Sequence, residues 1–217
     1  MARRELACGV AAGPLFVGAF TVIGSRRAGY DWRLHAVSSL AAGRDGWLQR
    51  ANFMLAGAQY CLASRALARN RTQAAVPRLV PALVLGVGAG LVGSGLFVTD
   101  PVAGFPPSDA RDEPDCARPV APTREGKLHN VSAIPIFVGI PVAAMTCAAS
   151  AARRADYGWA SYSAGSAVAM IGAFVRFGRA FGGGRSDRGR GGLWQRISVA
   201  TGFGWLSALS LRTLLRS

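Results

Sequence analysis

Apolar runs close to the roughly 20 residues needed to cross a bilayer, parted by charged and Pro/Gly-rich segments, constrain this chain more than any other feature. A soluble domain of 217 residues, 51% of them hydrophobic, would scatter its apolar residues at helical or strand periods. Here they are gathered into blocks, the pattern of a polytopic membrane protein. The blocks predict six helices, over Leu6–Gly24, Trp47–Leu67, Val80–Val98, Val131–Ala152, Gly158–Phe177 and Leu193–Leu211. The fold class is therefore all-α, a six-transmembrane-helix bundle forming one membrane domain over 1–217. Long polar loops are expected at 25–46 and 99–130. The basic, then apolar start resembles a signal peptide, but the run continues to Gly24 without a cleavage turn, so an uncleaved first span is expected.

Glycines inside the runs have a packing explanation. Gly86 and Gly90 in the third helix, and Gly165 with Ala169 in the fifth, are spaced to let neighbouring backbones approach. No GxxxxGK[ST] phosphate loop is present. The second run carries Arg50, Asn52, Gln59 and Arg65. Asn52 and Gln59 fall on nearly one helical face, which should point into the bundle or line a cavity rather than meet lipid.

The formal net charge of +14, with Lys127 the only lysine among 25 basic residues, invites a nucleic-acid reading. The segment "GRAFGGGRSDRGRGG" resembles an Arg/Gly RNA-binding run. Base stacking needs aromatic neighbours, and only Phe181 offers one, so a solvated connection and no nucleic-acid partner are expected. Six spans put both termini on one face. That face carries Arg3, Arg4, Arg65, Arg69, Arg71, Arg78, Arg153, Arg154, Arg212 and Arg216 against Glu5 and Asp156 alone. Positive charge on short loops marks the cytoplasmic side, so cytoplasmic termini in the cell membrane are expected. The four cysteines form no CxxC pair and announce no disulfide framework.

The chemistry-bearing residues collect at the other face. The first loop holds Asp31, His35, Ser38, Ser39 and Arg44 and leads to Trp47. The second runs from Asp100 to His129, and the third ends on Trp194, Gln195 and Arg196. Asp100 poses the sharpest question. A carboxylate at the negative end of a helix dipole is unfavourable by roughly 0.3–1 kcal/mol, so a cation or donor should answer it. Pro101 stops that helix and restrains Asp100. His129, near a helix N-terminus, should favour its neutral form. Asp100, His35 and His129 are thus candidates for an acid–base cluster at the mouth of a pocket. Asp31, Arg44, Trp47, Asn52, Gln59, Trp194 and Arg196 are candidate substrate-binding residues. Alternatively Asp100 pairs with an arginine and the histidines bond to backbone, or His35, His129 and Asp100 hold a divalent metal; no cofactor is clearly implied, and nothing points to haem, flavin or nucleotide binding. No GxSxG elbow supports a serine hydrolase at Ser38 or Ser39.

The segments "YDWRLHAVSSLAAGRDGWLQRANFMLAG", "GLFVTDPVAGFPP", "EGKLHN" and "GGLWQRISVATGFGWL", in this order, resemble domain-of-unknown-function family 998. These are prokaryotic polytopic membrane proteins held to be distantly similar to Frag/DRAM-type membrane proteins. The resemblance implies a six-helix membrane fold and no particular reaction. The segment "SDARDEPDCARPVAPTREG" lengthens the second loop relative to that pattern, as a solvent-facing insertion or a lid would. The residues themselves fit an enzyme (a cyclase, isomerase or hydrolase) acting on a lipid-like or isoprenoid-like substrate, with the bilayer and this small molecule as partners. The alternative is a non-enzymatic carrier, resistance or accessory membrane protein. A carrier should show internal repeats or a helix broken at the midplane.

Overall fold

A computed structural model of the chain describes residues 2–70, 75–102, 104–106, 122–181 and 189–217. The expected lid over most of 108–126, Cys116, Arg71 and the centre of the Arg/Gly segment lie outside them. The described residues are all-α, without a β-strand. The helices are α1 (Ala2–Arg26), α2 (Trp47–Asn70), α3 (Leu79–Leu96), α4 (Arg124–Phe137), α5 (Gly139–Ala152), α6 (Tyr157–Phe181) and α7 (Gly191–Leu215). A single 3-10 turn, Ser38–Ala41, interrupts the first loop.

Each helix packs on its neighbours in the chain, and α7 returns to α1, so the rods close into a ring. Both chain ends lie at one end of it, where the Arg3 guanidinium donates to the Ser217 carbonyl over 3.0 Å. The two acids of that face are each held by arginine. Glu5 pairs with Arg69, tying α1 to α2, and Asp156 pairs with Arg212, tying the start of α6 to the end of α7.

The fourth expected helix differs most. It begins at Arg124 rather than Val131, because Thr123 caps it by accepting the Gly126 N–H at 3.0 Å. It also breaks at Val138. Pro141 has no N–H for the Phe137 carbonyl and its ring crowds that carbonyl, so the rod restarts as α5. Taken as one rod, Arg124–Ala152 joins Ala2–Arg26 and Leu79–Leu96 as the three helical segments, among the described residues, long and apolar enough to cross a membrane. The others carry more polar residues, and several of these turn inward. Gln49 and Asn52 of α2, and Gln195, Ser198, Ser210 and Thr213 of α7, are buried. Leu55 on α2 and Val168 on α6 instead face outward, 57% and 67% exposed. Large apolar side chains facing outward and polar ones buried within a mainly apolar core suit a protein solvated by lipid.

The glycines divide unevenly. Gly90 lies so close to α4 that an added Cβ would meet the Ser132 carbonyl at 2.4 Å, and Gly86 looks the same way towards Pro135. Gly88 turns to the other side, against Gly57 of α2. Gly165 meets nothing within 4 Å. The expected close approach at Gly165 and Ala169 is therefore absent, because that face of α6 points out of the ring.

Candidate functional site

The answer to Asp100 comes from two helix ends meeting. Helix α3 stops at Leu96, earlier than expected, and Phe97 is extended. Pro101 has no N–H with which to bond the Phe97 carbonyl, and that carbonyl is taken instead by His129 Nδ1 at 2.9 Å. Arg50 supplies the positive charge. Its Nε donates to Gly95 O at 2.9 Å and its Nη2 to Leu96 O at 3.4 Å, so the residue that seemed to interrupt the second helix caps the third. Asp100 itself turns to the N-terminus of α4. Its carboxylate accepts the Thr123 hydroxyl at 2.6 Å and the Thr123 N–H at 3.2 Å. A Cβ at Gly126 would stand 2.0 Å from Oδ2. The unfavourable end of one dipole is exchanged for the favourable end of another.

The expected trio is thus divided among separate partners. His35 Nδ1 accepts the Asp31 N–H at 2.9 Å, placing the ring proton of its neutral form on Nε2. Its ring rests against Phe105 and Tyr30, with centroids 5.1 and 5.5 Å away. His129 takes the opposite tautomer, since a carbonyl faces its Nδ1. Among the described residues no three of His, Cys, Asp and Glu gather closely enough to hold a metal ion. The divalent-metal arrangement of His35, His129 and Asp100 is not what the fold builds.

Arg196 ties the first loop to α7. Its Nη1 donates to Trp32 O at 2.8 Å and its Nη2 to the Tyr30 hydroxyl at 2.8 Å, while its guanidinium lies over the Phe20 and Tyr30 rings. Burial pushes the Tyr30 phenol above its ordinary value, against the opposing pull of Arg196. The loop in turn caps α7. Gly192 N–H donates to Leu34 O at 3.1 Å, Leu193 N–H to Arg33 O at 3.0 Å, and Val37 N–H to Gln195 Oε1 at 2.6 Å. The orphan donors of the helix start are met by loop carbonyls.

A cavity of about 420 Å³ opens beneath this loop, running down between α4, α6 and α7. Phe16, Phe53, Phe137, Phe174, Phe177, Phe181 and Phe203 line it. Phe137 stacks on Phe174 at 4.2 Å across the wedge left where α4 leans on α3 and α5 on α6. Its polar lining is Ser38, Ser94, Thr99, His129, Asn130 and Gln195. The size and the apolar wall with few polar groups are those of a small-molecule site.

Of the candidate catalytic and substrate-binding residues, His129 alone lines this cavity; Ser38 and Gln195 of the same face line it too. Asn52 donates to Phe16 O at 3.1 Å and stitches α2 to α1 instead, and Gln59 lies half-buried farther along the same face. Asp31 accepts the Arg33 N–H at 2.8 Å in the exposed loop. Arg44 is exposed and Trp47 is 63% exposed at the head of α2. Trp194 stacks under Arg176 at 4.5 Å. Sequence reasoning missed Ser94 and the phenylalanines. The 3- and 4-residue spacing of Phe174, Phe177 and Phe181 marks one helix face, but nothing told that face from a lipid-facing one.

A family model described as a protein of unknown function, DUF998, matches residues 10–212. No match is found among functionally curated proteins or among solved structures. With nearly its whole length matched and apolar helices of bilayer length, this chain is a membrane protein belonging to the DUF998 family.

Proposed function

We propose that the chain crosses the membrane six times with both ends in the cytoplasm. In this reading it is an enzyme that takes a lipid-like or isoprenoid-like molecule into the cavity, with His129 as its acid–base group. The observation that carries the reading is a 420 Å³ apolar cavity whose wall holds one histidine. With Nδ1 committed to Phe97 O, the Nε2 of a neutral His129 keeps its lone pair for a proton. Proton-initiated cyclisation, isomerisation and hydrolysis all use such a transfer. Asp100 and His35 act as positioning residues, the first fixing the start of α4 and the second the loop over the cavity.

The break at Val138, in the middle of the Arg124–Ala152 rod, favours a second reading. Broken helices beside a central cavity are a carrier's feature. The two readings part in sealed vesicles, where an enzyme changes its substrate and a carrier moves it unchanged.

Binding itself is tested by filling the cavity. Protein purified in mild detergent should retain a lipid-like molecule detectable by mass spectrometry. Ala133→Trp, on the α4 wall, should lower that retention by about tenfold or more while the melting temperature holds. Equal retention by a folded variant would remove the cavity from the function.

A further inference from the structure

The cavity's polar end specifies what the bound molecule must present, and the argument rests on the lipid-binding reading above. Ser38 and Thr99 of the polar lining are half-buried and Asn130 is exposed, within reach of solvent; of its buried residues, two carry open groups that matter most. The first is His129 Nε2, an acceptor in the tautomer fixed by the bond from Nδ1 to Phe97 O, on a ring that the Ser94 carbonyl also approaches. The second is the Ser94 hydroxyl. Ser94 is 1% exposed, lines the cavity, and its Oγ has no hydrogen-bond partner, not even the carbonyl one turn back in its own helix. A buried hydroxyl without a partner is costly, so a ligand that satisfied it would bind more tightly. Gln195 is less available, since its Oε1 already accepts from Val37.

Charge narrows the choice. Among the described residues, no Asp, Glu, Lys or Arg lines the cavity. A phosphate or carboxylate head would enter a low-dielectric space without a counter-charge, which is strongly unfavourable. A quaternary ammonium would find aromatic faces but could not donate to His129 or accept from Ser94. A ketone or ester accepts only. A hydroxyl does both, donating to Nε2 and accepting from Ser94 Oγ–H.

We infer that the ligand is an uncharged lipid alcohol, a single apolar chain ending in a hydroxyl held between His129 Nε2 and Ser94 Oγ. The seven phenylalanine rings take the chain.

The test uses one chain with four heads on the full-length protein in detergent, read by native mass spectrometry. The probes are geranylgeraniol, its monophosphate, geranylgeranoic acid and the trimethylammonium analogue. The alcohol should bind tightest. Ser94→Ala should weaken it about five- to tenfold, the worth of one hydrogen bond. His129→Asn should do the same, because the asparagine amide keeps a donor for Phe97 O and loses the Nε2 acceptor; this guards against simple unfolding. A charged head binding tighter than the alcohol, or an alcohol indifferent to both substitutions, would overturn the inference and leave the lipid cavity standing. If none of the four binds and Ala133→Trp changes nothing, the cavity reading falls and this one with it.

Discussion

Gly192→Ala is expected to destabilise the protein by about 3–5 kcal/mol and to release the first loop from the head of α7. The added methyl would stand 2.2 Å from His35 O and 2.6 Å from Trp32 O. Both are backbone atoms in a segment held from several sides, so neither can swing aside as a side-chain tip could. Giving way means losing the bonds from Gly192 to Leu34, from Leu193 to Arg33 and from Val37 to Gln195, and the Arg196 contacts with Trp32 and Tyr30. At about 1 kcal/mol for each hydrogen bond, the sum reaches the stated range. Thermal unfolding in detergent, with limited proteolysis of 27–46, reads the result. The variant should melt lower and be cut within the loop. An unchanged melting temperature would mean that the loop does not depend on α7.

The second expected result concerns Asp100. Asp100→Ala should cost about 1–2 kcal/mol, the worth of a charged cap at a helix N-terminus. Gly126→Ala should cost about as much by a different route, since its methyl would occupy the space now held by the Asp100 carboxylate. The two substitutions remove one interaction. The double variant should therefore melt no lower than the worse single variant, a strongly non-additive cycle. Ligand retention should survive in all three, because Asp100 bonds to Thr123 and does not line the cavity. Additive losses would separate Gly126 from Asp100. Retention lost from a folded Asp100→Ala protein would return Asp100 to the chemistry.

This outcome shows where the sequence was legible. The apolar blocks gave the all-α class and the rods, because bilayer length leaves a strong mark on composition. Hydropathy placed the fourth helix seven residues late, at Val131, although the cap was written in "PTREG", with Thr123 followed by an acid and a glycine. Arg50 appeared as a flaw in one helix because its partners, Gly95 O and Leu96 O, belong to another. Asp100 at a helix C-terminus does need a donor, and arginines and histidines were the visible ones, whereas the donor is a helix start whose position the loop length concealed. The cavity was the least legible part. Its wall is drawn from α1, α2, α3, α4, α6 and α7, and a phenylalanine facing a cavity looks the same in sequence as one facing lipid.

The most direct test of the account asks whether a lipid-like molecule occupies the cavity in a membrane. A diazirine-bearing isoprenoid alcohol, photolysed with the full chain in native membranes, labels whatever it touches. Labelling, blocked by excess unmodified alcohol, is expected on peptides carrying His129 to Phe137 of α4 and Phe174 to Phe181 of α6. Labelling confined to outward-facing positions such as Leu15, Leu55 and Val168, unaffected by competitor, would contradict it.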